Sequence, residues 1–197
     1  MQLRVRESGT STTFQNTYQG SHRTQLISAQ AEPLRLEDVP EAWRRAPVVL
    51  LGPVAGEISS DLFPAFPDSL LALTPQGMMR GWNSDGEVFP VRWAPPDSLL
   101  RNLDVLVLSE DDLEDSSELD RYRELVRIVA VTHAEGGATL YVDGQATRFA
   151  ASPSTPTDPT GAGDTFAAAF LLELYISGDV ATAARYANAA ASLVIQQ

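Results

Sequence analysis

Apolar residues in this chain gather in short runs separated by turn-forming residues, and the runs differ in period. Pro47–Leu51 (PVVLL), Leu70–Thr74, Asp104–Leu108 (DVLVL) and Ile128–Thr132 (IVAVT) are continuous, with almost no polar break. That is the pattern of strands buried on both faces of a sheet. Ser59–Phe66 reads as a short helix capped by Ser59 or Ser60, and Leu119–Arg127 as a second helix. GATLYV and QATRFA alternate about Asp143-Gly144, which is a two-residue hairpin signal. Gly163–Ile176 and Val180–Ile195 are apolar, alanine-rich helices. Strands alternating with helices, then a hairpin, then two helices predict an α/β sandwich with a mainly parallel sheet. Ligands of such sheets bind at the carboxyl ends of the strands.

The first thirty residues have a different texture. TSTTFQNTY and RTQLISA flank the turn-like QGSH and read as a β-hairpin with one open face. The chain therefore divides into a β flap over 1–30 and an α/β core over 31–197. AEPLRLEDVPEAWRRA is a connection with a short amphipathic turn around Trp43. Gln76–Pro96 reads mostly as loop, in which Trp82 and Trp93 are anchors and Met78 and Met79 packing residues.

Charge narrows the partners. The chain of 197 residues carries 14 basic and 26 acidic residues, a formal charge of -12. Such a surface repels nucleic-acid backbones and anionic membranes. A phosphorylated ligand must then be held by backbone dipoles, metal ions or a few arginines, Arg23 of the flap among them. There is no cysteine, which excludes disulfides, thiolate chemistry and cysteine-ligated zinc. The two histidines, His22 and His133, lie far apart, and each reads as an exposed or loop-edge residue. No run of about 18 apolar residues predicts a membrane span. The start, MQLRVRESGT, lacks an apolar signal core, so the expected location is cytoplasmic.

The chemistry-bearing stretch is Asp158-Pro159-Thr160-Gly161-Ala162-Gly163-Asp164-Thr165-Phe166, two glycines about one alanine just before an apolar helix. Small residues let a ligand approach the backbone closely. The helix start offers unpaired N–H groups and the positive end of its dipole, an anion site built without lysine. Asp164 falls in the first turn. A carboxylate beside a phosphate site is unfavourable for binding alone, but it suits a base that takes a proton from an attacking hydroxyl. The other reading is an ordinary aspartate cap. Neither GxxxxGK nor GxGxxG occurs. The acidic run Glu110–Asp120 reads as a solvated helix face.

DPTGAGDTFAAAF resembles the C-terminal signature of the ribokinase/PfkB carbohydrate kinase family. PVVLLGPVAGEI, LTPQGMMR, DVLVLSEDDLED, VAVTHAEGGATLY and YANAAASLVI resemble successive family segments, so the likeness runs from Ala46 to Ile195 and more loosely over TTFQNTY. LGPVAGE and PQG resemble an inositol-kinase-like branch. The resemblance implies a ribokinase-like three-layer α/β/α sandwich and ATP-dependent transfer of the γ-phosphoryl group to a hydroxyl of a sugar, polyol or nucleoside-like molecule. It implies Asp164 as general base and the amides of Gly161, Ala162 and Gly163 as the anion hole. Asp158 and Thr160 match positions that hold a monovalent cation such as K+ in some members. Thr132 and Gly137 match the nucleotide strand and turn, and Asn188 a helix residue near the adenine. Ser109 and Asp112 stand where the family usually shows an Asn-x-x-Glu pair that organises Mg2+ and phosphate. Ala134 replaces a common glycine. Nothing before Thr12 resembles the family's opening strand, substrate aspartate and Gly-Gly motif, so the sequence reads as N-terminally truncated. A non-catalytic kinase-fold protein that at most binds nucleotide is the alternative. The flap is a candidate homodimer contact, since an isolated hairpin is marginal in water.

Overall fold

The computed structural model describes residues 2–19, 22–113, 115–152 and 160–196. Two antiparallel strands open it, β1 (Thr13–Gln19) and β2 (His22–Ala29). Strands β3 (Val48–Leu51) and β4 (Leu70–Leu73) follow, then a small hairpin of β5 (Arg80–Trp82) and β6 (Val88–Pro90). Helix α1 (Asp97–Leu100), β7 (Val105–Ser109), α2 (Ser116–Leu125) and β8 (Ile128–Thr132) alternate. The hairpin of β9 (Ala138–Val142) and β10 (Gln145–Phe149) precedes α3 (Ala162–Ser177) and α4 (Val180–Val194).

Six strands form the central sheet in the order β10-β9-β8-β7-β4-β3. β3, β4, β7 and β8 run parallel, and β9 and β10 are antiparallel additions. The continuous apolar runs follow from this placement. Val105, Val107, Ile128, Ala130 and Leu140 pack against Phe166, Phe170, Ala184 and Ala187 of α3 and α4. Leu106, Leu108, Val129 and Val131 face the other way, onto Leu62, Phe63, Leu100 and Tyr122. A strand covered on both sides has no polar face to alternate with. Alanine in α3 and α4 lets the helices approach the sheet and each other closely. Asp143 and Gly144 both take positive φ, 48° and 77°, as a tight primed turn requires.

Several expectations change. PVVLL is not buried on both faces: β3 is the outermost described strand, and Leu50 is 36% exposed. Ser59–Phe66 forms a 3-10 helix over Ser60–Ala65 with Pro64 inside it, and no side-chain bond from Ser59 caps it. α2 begins earlier than its apolar pattern, because Asp115 caps it by accepting from the Ser117 and Glu118 N–H groups. Gln76–Pro96 is mostly irregular, as read, but it also holds part of a 3-10 turn (Pro75–Met78) and the β5–β6 hairpin.

The flap is attached at its root. Ile27 N–H donates to Gly86 O at 2.8 Å, and Leu26 bridges to Glu87, so the β1–β2 hairpin adjoins the β5–β6 hairpin. Gly86 sits at φ +81°, and a Cβ there would lie 2.4 Å from the Ile27 carbonyl oxygen. The extended residues before the flap are tied down by Arg6, whose guanidinium meets Glu32 at 2.8 Å and Asp38 at 2.9 Å. Among the described residues no helix is long and apolar enough to cross a membrane.

Candidate active site

The parallel strands end on one rim, at Leu73, Ser109 and Thr132. The β9–β10 hairpin descends from that rim and returns to it: Thr132 pairs with Ala138, and Ala138 with Phe149. α3 then starts close by. Gly161 is its N-cap in the left-handed region, φ 82° and ψ 0°, which only glycine enters without cost. The first intrahelical bond runs from Thr165 N–H to Gly161 O at 2.9 Å. The N–H groups of Ala162, Gly163 and Asp164 therefore have no acceptor within the helix. Among the described residues, a Cβ added at Gly161 or Gly163 would meet no atom within 4 Å, so the described packing demands neither glycine.

Asp164 is exposed on the first turn of α3. Gly161, not Asp164, occupies the cap, and no described group hydrogen-bonds the Asp164 carboxylate. The cap reading of this aspartate therefore has no support in the geometry. Thr160 is exposed directly before the turn, and Asp158 lies outside the described residues.

Ser109 and Asp112 form a second feature of the rim. Ser109 N–H donates to Asp112 Oδ2 at 2.9 Å, and Ser109 Oγ accepts from Asp111 N–H at 3.3 Å. This reciprocal box winds the chain into a short 3-10 turn as it leaves β7. Burial pushes the Asp112 carboxyl above its ordinary value, while the Ser109 N–H, the Arg80 charge and the Gln76 side chain pull it down. Among the described residues no cluster of three His, Asp or Glu side chains is preassembled to hold a metal.

Residues read as the nucleotide side serve structure first. Thr132 Oγ1 donates to Leu108 O at 3.3 Å. Gly137 sits at φ +87°, and a Cβ there would lie 2.1 Å from Phe149 O and 2.5 Å from Ala151 N. The turn after β8 thus presses directly on the backbone that leads to the glycine turn. Asn188 is 5% exposed, and its amide nitrogen donates to Phe149 O at 3.1 Å and Ala150 O at 3.0 Å. Its amide is engaged in holding that same segment on α4. His133 bridges two rim elements, with Nδ1 2.7 Å from Glu110 Oε2 and Nε2 2.8 Å from Thr139 Oγ1.

Sequence reasoning missed Gln76 and Arg80. Arg80 Nη1 donates to Val54 O at 3.1 Å, and the guanidinium lies 5.5 Å from the centre of the Phe14 ring on the flap. Arg80 thereby joins the flap, the loop after β3 and the Asp112 turn. A basic residue four positions after Gln76 in an acidic chain was the available signal. Trp93 is an anchor, its carbonyl accepting from Tyr122 Oη at 3.0 Å. Two open concavities lie elsewhere, one at the flap root beside Ser28, Trp82 and Asp85, the other beside Arg35, Arg44 and Asp61. Neither includes the Gly161–Asp164 turn.

A three-layer sandwich with an open, glycine-lined helix start at its carboxyl rim is a ribokinase-like architecture. The model of the pfkB family of carbohydrate kinases matches residues 91–197, and the chain belongs to that family. A nucleoside kinase of Methanothermobacter thermautotrophicus is 33% identical over 69 residues, which are 35% of this chain and 22% of that protein. A pyrophosphate-dependent kinase in the ribokinase family superposes with a TM-score of 0.80 at 23% identity, over 95% of this chain and 70% of that one. Arabidopsis thaliana ribokinase, solved with ribose and ATP, gives 0.66 at 25% identity, over 90% of this chain and 60% of that one. The chain thus spans only part of the length of each.

Proposed function

We propose that this chain carries the catalytic rim of an ATP-dependent kinase that transfers the γ-phosphoryl group to a hydroxyl of a sugar, polyol or nucleoside-like small molecule. One observation carries the reading. A single turn combines N–H groups without helical acceptors, two glycines with no described atom within 4 Å of an added Cβ, and an exposed carboxylate with no described partner. The alcohol oxygen attacks phosphorus, its proton passes to Asp164, and the bond to the bridging oxygen of the donor breaks. The amides of Gly161, Ala162 and Gly163 stabilise charge on the transferring oxygens, and one such donor contributes about 3 kcal/mol.

Bound Mg2+ would neutralise phosphate charge in a chain whose own charge is -12. It is usually held by one or two carboxylates together with phosphates and water, which fits a rim offering Asp112 beside Ser109 and, among the described residues, no ready-made cage. Thr160, with Asp158, is the candidate for a monovalent cation such as K+.

A second reading of the donor is pyrophosphate. The phosphate end of the site needs only the glycine turn, while the Asn188 amide nitrogen is spent on the Phe149 and Ala150 carbonyls and offers a purine no ready donor. The likeness to a pyrophosphate-dependent kinase accords with this. A non-catalytic, nucleotide-binding role is the remaining alternative. The test offers Mg-ATP and Mg-pyrophosphate in turn with ribose, myo-inositol and adenosine, and follows donor cleavage. Cleavage that depends on an added alcohol is expected with at least one pairing. Donor binding with no alcohol-dependent cleavage in any pairing would leave only the non-catalytic reading.

A further inference from the structure

Beyond their last pair, Ser109 with Thr132, β7 and β8 both leave the sheet in turns. The first is the 3-10 turn Glu110–Asp112, which carries Asp112. The second runs through Ala134–Gly136 to Gly137, which presses on the Phe149–Ala151 backbone. His133 stands between them. Its Nδ1 meets Glu110 Oε2 at 2.7 Å, and its Nε2 meets Thr139 Oγ1 of β9 at 2.8 Å. The histidine is half-buried and Glu110 is exposed. A carboxylate only accepts, so Nδ1 carries the proton of the first contact, while the Thr139 hydroxyl can donate or accept at Nε2. The neutral ring is thereby the Nδ1–H tautomer.

The backbone shows that the second turn is held in place. Ala134 has φ 46°, in the left-handed region that costs any residue with a Cβ. Such a conformation persists where its surroundings over-determine it. Here His133 N–H donates to Gly137 O at 2.8 Å, and His133 O accepts from Gly136 N–H at 2.7 Å, so the strained residue lies in a loop closed at His133. From its far side Arg148 Nη2 reaches Gly136 O at 3.5 Å. The Asp112 turn is approached from two directions. Gln76 and Arg80 act on Asp112 from the β4–β5 side. His133 holds Glu110 of the same turn from the β8 side.

We infer that His133 is a positioning residue for the phosphoryl donor: through Glu110 it sets the spacing between the Asp112 turn and the turn after β8, and so the place at which Asp112 meets a magnesium-bound donor. The inference rests on the kinase reading for the donor and on the hydrogen bonds of His133 for the link. A packing role is the competing account. On that account the Thr139 bond, which joins His133 to β9, is the one that matters, and the Glu110 contact is incidental.

The two accounts part at the two ring nitrogens. His133→Asn can keep an N–H near the place of Nδ1, and His133→Gln can keep one near Nε2. Calorimetry of the full chain with Mg-pyrophosphate and Mg-ATP reads donor affinity. His133→Ala and Glu110→Ala are each expected to weaken the donor that binds about tenfold. The double variant is expected to lose no more than either single one, since both break the same link. His133→Asn should recover most of the loss and His133→Gln should not. Glu110 is exposed, so Glu110→Ala reports on the link even where a change at His133 lowers the melting temperature. The 15N–1H spectrum of the imidazole in the unaltered chain should show a proton on Nδ1. Unchanged affinity in Glu110→Ala, additive losses, recovery by His133→Gln in place of His133→Asn, or a ring protonated at Nε2 alone would overturn the inference. The kinase reading fails apart from it. If neither donor binds the unaltered chain, that reading and the positioning role fall together; donor binding indifferent to Glu110→Ala removes the positioning role alone.

Discussion

Gly161 and Gly163 look equivalent in sequence but serve different ends. Gly161 needs its left-handed φ of 82° to turn the chain into α3. Gly163 has ordinary helical geometry, and a Cβ there would touch no described atom within 4 Å. Gly163→Ala is therefore expected to leave stability unchanged or raise it by up to about 1 kcal/mol. The same methyl group fills the space proposed for the phosphoryl group and is expected to lower turnover at least about a hundredfold. Gly161→Ala is expected to cost about 1–2 kcal/mol as well as activity. Denaturant melts beside steady-state rates check both, and a Gly163→Ala protein of normal activity would remove the anion hole. The glycine turn into α3 was legible because its small residues and the apolar run that follows are adjacent in sequence. The work of Asn188 was less so, because its partners are carbonyls nearly forty residues away. Its place among Ala184, Ala187 and Ala191 on a core-facing stripe was the clue, since a buried amide must find bonds.

Among the elements, those with a clear period were legible and those held by contact were not. The Asp143-Gly144 hairpin, β8 and the two closing helices follow directly from their patterns. The β5–β6 hairpin and the turn before it did not, since three-residue strands carry no period. What fixes that turn is Gly77. A Cβ on it would lie 2.4 Å from the carbonyl carbon and oxygen of Pro53 and 2.6 Å from the Val54 carbonyl carbon. Those are backbone atoms and cannot rotate aside. Gly77→Ala is expected to destabilise the fold by about 1–3 kcal/mol, because two rim segments must separate. Gly144→Ala is the comparison, having positive φ but nothing within 4 Å. Equal denaturation midpoints for Gly77→Ala and the unaltered chain would show that the contact is not needed. Because Arg80 lies three residues beyond Gly77 and bonds Val54, the same variant should also loosen the flap.

For the whole molecule, composition said which layers exist but not how they are arranged. Continuous apolar runs gave a sheet covered on both faces, yet a parallel edge strand and a central one have the same run. β3 therefore gave no sign that it is the outermost described strand. Net charge is the other property of the whole. At -12, the chain offers an incoming phosphate little attraction beyond local dipoles, its arginines and whatever metal accompanies the ligand. On the proposed mechanism the open start of α3 holds the donor and Asp164 moves the proton. Asp164→Asn separates these roles, since it keeps the shape and the helix start while removing the base. The decisive measurement is phosphoryl transfer by the Asp164→Asn protein, followed by 31P resonance, beside donor affinity from calorimetry. Donor binding within about twofold of the unaltered chain, with transfer to the alcohol lost, is the expected result. Transfer at a near-normal rate would contradict the assignment of the base, and with it the proposed mechanism.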